Sequence, residues 1–129
     1  MRSHYQILII GGGTAGIMLA AQLRNKDKKL SIAILEPSAN HWYQPAWTLV
    51  GAGTYNYANT RRDESSVIPK GVTWLQDAAT GFSSDQQAVN TRQSGLLSYD
   101  YLVVAPGLVY DLDGIEGLRA ALGQPNVSS

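Results

Sequence analysis

Residues 5–36 read YQILIIGGGTAGIMLAAQLRNKDKKLSIAILE, and they carry the strongest signals of secondary structure in the chain. Tyr5–Ile10 is a short apolar run, rich in β-branched residues and followed by glycines, which is typical of a strand buried on both faces of a parallel sheet. Thr14–Asn25 places its apolar residues at helical spacing, and Leu30–Leu35 is a second apolar run. This order predicts a βαβ unit, whose crossover should be right-handed.

Three glycines in the first turn, Gly11, Gly13 and Gly16, match the spacing G-x-G-x-x-G. The pattern alone is weak, but here a strand precedes it, a helix follows it, and Glu36 ends the second strand. Gly11 permits a tight turn, Gly13 lets the backbone approach a pyrophosphate, and Gly16 with Ala20 lets the helix pack closely. The helix N-terminus offers its unpaired N–H groups to the phosphates.

Glu36 can accept hydrogen bonds from both hydroxyls of an adenosine ribose, and its charge would repel a 2′-phosphate. The sequence therefore predicts a bound dinucleotide that contains adenosine diphosphate. The alternative is a structural glycine turn with a surface glutamate. The fingerprint by itself leaves open whether the dinucleotide is FAD or NAD.

The rest of the chain is predicted to contain short elements. Pro37–Thr60 is irregular with a helical turn at Ala46–Val50, and Arg61–Ile68 is predicted to form a short helix. An antiparallel meander of three strands should follow, and a last strand should return to the parallel sheet before the small residues at 105–107 break it. These four strands are predicted at Val72–Phe82, Gln87–Thr91, Leu96–Ser98 and Tyr101–Val104.

Composition narrows the class of protein. The chain has 129 residues, which is one domain at most. Ten basic residues balance ten acidic ones, so there is no electrostatic reason to expect nucleic-acid binding. The absence of cysteine excludes disulfides, thiolate metal sites and cysteine catalysis within these residues. No apolar run approaches the ~18 residues of a membrane helix. The polar tail Gly123–Ser129 is expected to be mobile.

The stretch HWYQPAWTLVGAG at 41–53 concentrates aromatic residues where the chain leaves a strand. Packing over a loop is the simplest interpretation of Trp42, Tyr43 and Trp47 individually. His41 is interpreted as a hydrogen-bonded structural residue, and His4, ahead of the first strand, as inert.

The sequence resembles the N-terminal part of the sulfide:quinone oxidoreductases, most closely the branch shared by bacteria and mitochondria. The matching stretches are HYQILIIGGGTAGI, AILEPSANHWYQPAWTLVGAG, SSVIPKGVTWL and SYDYLVVAPG, and they run from about His4 to Leu118. Many flavoproteins share the glycine fingerprint, whereas the run H-x-Y-Q-P-x-W-T-L-V-G-x-G is specific. The resemblance decides between the two dinucleotides in favour of FAD.

The resemblance implies an α/β fold, namely a Rossmann-like βαβ FAD-binding half-domain with a parallel sheet and a three-stranded antiparallel meander, truncated relative to the family. It implies a flavoprotein of the two-dinucleotide-binding, pyridine nucleotide-disulfide oxidoreductase superfamily. Its members oxidise sulfide to sulfane sulfur and pass electrons through FAD to a membrane quinone. The residues carried over are Gly11, Gly13, Thr14, Ala15 and Gly16 at the pyrophosphate, Glu36 at the ribose, Gln44 near the cofactor, Ala79 at the adenine, and Ala105 and Gly107 at the flavin.

The chain departs from the resembled family in two ways. Family members are much longer, and their redox cysteines lie beyond the region covered here, so no catalytic residue is assigned. Where members often show Arg-Pro, this chain has Arg61-Arg62. Residues 1–129 are therefore expected to be an incomplete N-terminal FAD-binding domain that is inactive alone. The full-length protein is expected on the cytoplasmic side, peripheral on the inner face of the cell membrane, attached through the missing C-terminal part.

Two alternatives remain at this point. One is a stand-alone or degenerate dinucleotide-binding module without turnover, or a subunit that another chain completes. The other is a fragment of another quinone-linked flavoenzyme, such as a type II NADH dehydrogenase. The H-W-Y-Q-P stretch argues against the second.

Overall fold

A six-stranded mixed sheet organises the protein in the computed structural model, which describes residues 3–126. The strands are β1 His4–Ile10, β2 Ile32–Leu35, β3 Asn40–Trp42, β4 Arg61–Asp63, β5 Thr73–Leu75, β6 Ala79–Ser83, β7 Ala88–Thr91 and β8 Leu96–Val104. The α-helices are α1 Thr14–Lys26, α2 Trp47–Gly51, α3 Glu64–Val67 and α4 Leu118–Ala121. Short 3₁₀ turns occupy Gln44–Ala46, Tyr57–Thr60, Ser84–Gln86 and Leu112–Gly114.

The large sheet has the strand order β5-β2-β1-β8-β7-β6. Its first four strands are parallel, with Leu8 of β1 opposite Ala33 of β2 and Leu102 of β8. Strand β7 is antiparallel to both β8 and β6. The predicted α/β class, with a βαβ start and an antiparallel meander, is confirmed.

The central strands are apolar on both faces because both faces are covered. Ile7 and Ile9 of β1 pack with Ile32 and Ile34 of β2, and Ala20 of α1 closes this side. The alternate residues of the same strands pack on the opposite face, where they meet the antiparallel strands; this cluster comprises Tyr5, Leu8, Ile10, Ala33, Leu35, Leu75, Val89 and Leu97. Burial on both sides explains why the first strand shows no polar alternation in its second half.

The predicted strand Val72–Phe82 is wrong as a single element. Thr73–Leu75 pairs in parallel with β2, whereas Ala79–Ser83 pairs antiparallel with β7. Buried Asp77 lies between them, and its carboxylate accepts the N–H groups of Ala78, Gln93 and Ser94. These three hydrogen bonds hold the chain in a bend between β5 and β6. They satisfy backbone N–H groups that would otherwise need partners in a neighbouring strand.

The two predicted strands Leu96–Ser98 and Tyr101–Val104 are one continuous strand, β8. Its first residues pair antiparallel with β7, from Leu96 to Ser98. On its other side, the strand pairs in parallel with β1 from Ser98 to Val104. The meander therefore consists of β6, β7 and the beginning of β8, and no break separates it from the parallel sheet.

The prediction of a helix over Arg61–Ile68 is wrong for its first three residues. Arg61–Asp63 is strand β4, which pairs antiparallel with β3 in a separate two-stranded sheet, and the helix begins only at Glu64. The pairing partner is about 20 residues away, which local spacing does not reveal. The helical turn predicted at Ala46–Val50 is confirmed, since a 3₁₀ turn there continues into α2.

In the part of the chain that the structure describes, no helix has the length and apolarity needed to cross a bilayer. The end of the predicted mobile tail, residues 127–129, lies outside the described residues.

Candidate dinucleotide-binding site

A cavity of about 630 Å³ opens at the carboxyl ends of β1, β2 and β8. From β1 the chain continues to β2 on one side of β1, whereas the later strand β8 pairs with β1 on the other side. The strand order therefore reverses at β1, and open α/β sheets bind ligands at such a switch point. The lining residues are Gly12, Gly13, Thr14, Ala15, Glu36, Ser38, Asn40, His41, Trp42, Gln44, Pro45, Glu64, Ala105, Pro106, Gly107 and Leu108.

The fingerprint glycines are required for different reasons. Gly11 has a φ of +104°, and a Cβ there would lie 2.1 Å from the carbonyl oxygen of Ala105. A Cβ on Gly16 would lie 2.0 Å from the carbonyl oxygen of Gly11. A Cβ on Gly13, in contrast, would meet no atom within 4 Å. Packing therefore excludes side chains at Gly11 and Gly16, whereas at Gly13 the space is open for a ligand.

The N-terminus of α1 supplies the cavity with hydrogen-bond donors. Gly13 is the N-cap residue, and its carbonyl accepts the N–H of Ile17. No side chain caps the helix, and Gly13, Thr14 and Ala15 line the cavity. The N–H groups of the first turn and the positive end of the helix dipole are consequently placed where an anion can bind.

Glu36 is held at the end of β2 by two backbone donors. Its Oε2 accepts the N–H of Gly12 at 2.8 Å, and its Oε1 accepts the N–H of Ser38 at 2.7 Å. Each carboxylate oxygen has a further lone pair, so a fixed Glu36 can still accept ligand hydroxyl groups. The main-chain carbonyl of Glu36 accepts the indole N–H of Trp74 at 2.9 Å.

Sequence reasoning missed Glu64, which the structure places beneath the glycine loop. Glu64 is 1% exposed, and its Oε2 lies 3.5 Å from Nδ1 of His41. That nitrogen lies 3.0 Å from the carbonyl oxygen of Gly12. Burial raises the pKa of the Glu64 carboxyl; His41 opposes this effect, and nearby Glu36 adds to it. The interpretation of His41 as a hydrogen-bonded residue is confirmed.

One signal in the sequence points toward Glu64. The fingerprint requires no glycine at its second position, yet Gly12 stands there. A Cβ on Gly12 would lie 2.3 Å from Oε1 of Glu64 and 2.7 Å from Cγ of Glu36. Gly12, the second glycine of the run, therefore makes room for two carboxyl side chains, although the sequence does not say that one of them is Glu64.

The predicted site residues divide among three places. Seven of them line the main cavity: Gly13, Thr14, Ala15, Glu36, Gln44, Ala105 and Gly107. Gly11 and Ala79 instead line a second cavity of about 380 Å³, which shares Glu36 and Pro106 with the first. Gly16 lines neither cavity and packs against the glycine turn.

The aromatic segment at 41–53 lines one side of the main cavity and packs against the residues behind it. Trp42 lines the cavity and stacks on Tyr57, with ring centroids 5.0 Å apart. Trp47 also contacts Tyr57, and its indole N–H donates to the hydroxyl of buried Thr60 at 3.2 Å. Tyr43 is half exposed. Trp42 therefore reaches the cavity, whereas Trp47 supports the wall through Tyr57.

Comparison with known proteins gives a consistent result. The family model of the pyridine nucleotide-disulphide oxidoreductases matches residues 5–127. A mitochondrial sulfide:quinone oxidoreductase of Dictyostelium discoideum is 44% identical over 96% of this chain and 28% of its own length. A type II NADH:quinone oxidoreductase of Staphylococcus aureus is 31% identical over 88% of this chain and 29% of its own length.

Among solved structures, the sulfide:quinone oxidoreductase of Aquifex aeolicus matches with a TM-score of 0.73 and 28% identity, over 92% of this chain and 27% of that one. The chain thus spans less than a third of the length of these proteins. Members of the matching family are FAD-binding flavoproteins. On the family match and the preserved dinucleotide fold, the chain belongs to the pyridine nucleotide-disulphide oxidoreductase family.

Proposed function

We propose that this chain supplies the adenosine diphosphate part of the FAD site in a flavoprotein oxidoreductase, most specifically a sulfide:quinone oxidoreductase. The observation that carries the FAD site is the open space at Gly13, directly at the N-terminus of α1 and beside the anchored carboxylate of Glu36. Among the four glycines of the turn, at positions 11, 12, 13 and 16, only Gly13 leaves open space, and this is where the backbone has to approach a pyrophosphate.

Seven of the ten predicted site residues have a direct role toward the ligand in this proposal. The N–H groups at Thr14 and Ala15 would bind the pyrophosphate, and Glu36 would accept the hydroxyl hydrogens of the ribose. Ala79 lines the second cavity together with Glu36, and it would border the adenine. The residues on the far side of the main cavity would lie toward the flavin: Gln44, Ala105 and Gly107. When bound, FAD supplies two-electron redox chemistry, and this chain contributes binding, orientation and a partly apolar wall.

Sulfide is the proposed electron donor of the whole protein and a quinone the proposed acceptor. The 44% identity to a sulfide:quinone oxidoreductase, against 31% for the NADH:quinone oxidoreductase, favours this assignment. We place no catalytic residue among these 129 residues, which contain no cysteine. We treat residues 1–129 as an incomplete domain of a longer, membrane-peripheral enzyme, whose quinone and membrane contacts lie in the other part.

A type II NADH:quinone oxidoreductase is the second candidate, because the Staphylococcus aureus protein also matches most of the chain. A dinucleotide-binding module without turnover is the third candidate. All three share the same βαβ unit and the site described here. The first two differ in the electron donor, and the third has no turnover.

Anaerobic reduction of the full-length flavoprotein separates these candidates. We expect sulfide to bleach the flavin absorbance and a water-soluble quinone to restore it, while NADH leaves the flavin oxidised. Bleaching by NADH and not by sulfide would establish the second candidate. A full-length protein that binds FAD but reacts with neither donor would be a module without turnover, and one that holds no FAD would refute the site itself.

A further inference from the structure

The main cavity has an unfavourable charge balance for its proposed ligand. Its titratable lining residues are Glu36, Glu64 and His41, and no lysine or arginine is among the residues that line it. A pyrophosphate would add two negative charges next to two carboxyl groups. The positive end of α1 contributes only about half an elementary charge. Another source of positive charge is needed for tight anion binding.

The two arginines of β4 do not line the cavity, and their hydrogen bonds go to other groups. Arg61 of β4 donates through Nε to the side-chain oxygen of Asn40 and through Nη2 to Asp63. Arg62, which stands opposite His41 in the β3–β4 register, donates to the main-chain carbonyls of Asn59 and Arg61. The first turn of α1 carries no acidic residue. Arg62 keeps its charge but does not line the cavity, so the charged groups that line it together with His41 are Glu64 of α3 and Glu36, which follows β2.

The two ring nitrogens of His41 have different surroundings. Nδ1 is near two oxygens, the carbonyl of Gly12 and Oε2 of Glu64, so it carries the hydrogen. Nε2 makes no hydrogen bond within residues 3–126, while the ring lines the cavity. In the neutral ring, Nε2 presents a lone pair that repels a phosphate oxygen. In the protonated ring, Nε2 becomes a donor that can bind one.

Glu64 is placed to support that protonated state. Its Oε2 contacts His41, while its Oε1 is buried and has no hydrogen-bond partner within the described part of the chain. A buried carboxyl of this kind stabilises an adjacent imidazolium, or takes up a proton itself when another negative charge approaches. In both cases the pair gains a proton when an anion binds nearby.

We propose that binding of a pyrophosphate-containing dinucleotide at the glycine loop is coupled to uptake of about one proton from solvent by the His41–Glu64 pair. The ligand-bound state holds the extra proton, so the affinity rises as the pH falls and decreases as the pH rises. The inference rests on the proposed function, because it takes the glycine loop as the dinucleotide site.

ADP-ribose is the probe that tests this coupling, because its two phosphates keep their charge between about pH 6 and pH 8. Amide shifts of Gly13, Thr14 and Ala15 in NMR spectra of the 129-residue chain, recorded at concentrations where sedimentation velocity shows a monomer, would give the dissociation constant at each pH. We expect the affinity to weaken by about threefold to tenfold per pH unit. At pH 7, the ring resonances of His41 should move toward their protonated positions, while those of exposed His4 should not.

Matched variants assign the proton to the pair. His41→Gln and Glu64→Gln should each reduce the pH dependence, and the double variant should abolish it. Glu116→Gln, at an exposed position outside the lining of the main cavity, should bind like the wild type. An affinity that is independent of pH in the wild type, or a full pH dependence in the double variant, overturns the coupling. Absence of loop shifts at any ligand concentration in the folded wild type refutes the dinucleotide site, and the coupling with it.

Discussion

The backbone N–H of Gly12 donates to Oε2 of Glu36 over 2.8 Å, so the glycine loop and the carboxylate at the end of β2 form one hydrogen-bonded unit. Glu36 is therefore oriented before any ribose arrives, since Ser38 holds its other oxygen. Pre-orientation lowers the entropic cost of binding, because the side chain is already restrained in its rotamer.

Replacing Glu36 with Gln tests this unit. The amide group of Gln has a single acceptor oxygen, so one of the two backbone donors and one ribose hydroxyl lose a partner. We expect affinity for ADP-ribose to fall about tenfold to a hundredfold, and the free energy of unfolding to fall by about 1–2 kcal/mol. NMR titration and urea denaturation measure the two effects. Glu116→Gln, at an exposed position far along the chain, is the control, and equal affinity of the two variants would contradict the role of Glu36.

The glycines Gly13 and Gly16 should respond oppositely to substitution by Ala. The Cβ of Gly13→Ala enters open space, so we expect the melting temperature to change little while binding of ADP-ribose weakens at least tenfold. The Cβ of Gly16→Ala would lie 2.0 Å from a backbone oxygen, so we expect a loss of about 3 kcal/mol or more in stability. Thermal unfolding and NMR titration of both variants check this. If Gly13→Ala bound as well as the wild type, the pyrophosphate would not lie where we place it.

Asp77 should make the free energy of unfolding decrease at acidic pH. Burial acts to raise the pKa of its carboxyl, but the hydrogen bonds from Ser94, Ala78 and Gln93 together outweigh burial and hold that pKa well below its ordinary value. A depressed carboxyl pKa gives stability that is present above the unfolded-state pKa of about 3.9 and is lost as the pH falls below it. We expect Asp77→Asn to lower the free energy of unfolding by about 1–3 kcal/mol at pH 7. The variant should also lose less of that free energy than the wild type when the pH falls below about 4.

Urea denaturation at several pH values measures this contribution. Asp85→Asn is the control, because Asp85 lies in the exposed turn between β6 and β7. Parallel stability curves for the wild type and Asp77→Asn between pH 2 and pH 7 would show that the hydrogen bonds to Asp77 contribute nothing to the acid response.

The isolated 129-residue chain should retain FAD poorly. The residues beyond β8 that would border the flavin are open to solvent, with Leu108 91% and Val109 96% exposed. The flavin end would therefore stay wet, and only the adenosine diphosphate end would be held. We expect the purified chain to be nearly colourless and to bind added FAD weakly, as measured by flavin fluorescence quenching. A yellow protein with stoichiometric FAD would contradict this.

The exposed apolar surface should also make the isolated chain associate with itself. Large side chains of the last strand and the segment after it are exposed: Tyr101, Val104, Leu108, Val109, Tyr110 and Ile115. Exposed apolar patches of this kind favour association. We expect sedimentation velocity to show concentration-dependent oligomers. Replacing Leu108, Val109 and Tyr110 together with Ser should shift the chain toward monomer, whereas serines at the exposed polar positions Gln86 and Arg92 should not.

The βαβ unit and one part of the cavity lining, formed by Gly13, Thr14, Ala15 and Glu36, were predictable from the amino-acid sequence. Both follow from local signals: apolar runs too short for helices, a helical period between them, and glycines followed by an acid at fixed distances. The bounds of β1 and α1 lie within about one residue of their predicted positions, and Glu36 follows β2 directly. Strand β2 begins at Ile32 and not at the predicted Leu30.

Features that depend on partners distant in sequence became visible only in the folded protein. Strand β4 is a strand because β3 pairs with it, and the run Val72–Phe82 divides because Asp77 binds backbone groups on the far side of the meander. Glu64 belongs to the site because folding brings α3 under a glycine loop about 50 residues earlier. Local periodicity reports which face of a segment is buried, but it does not report which other segment buries it.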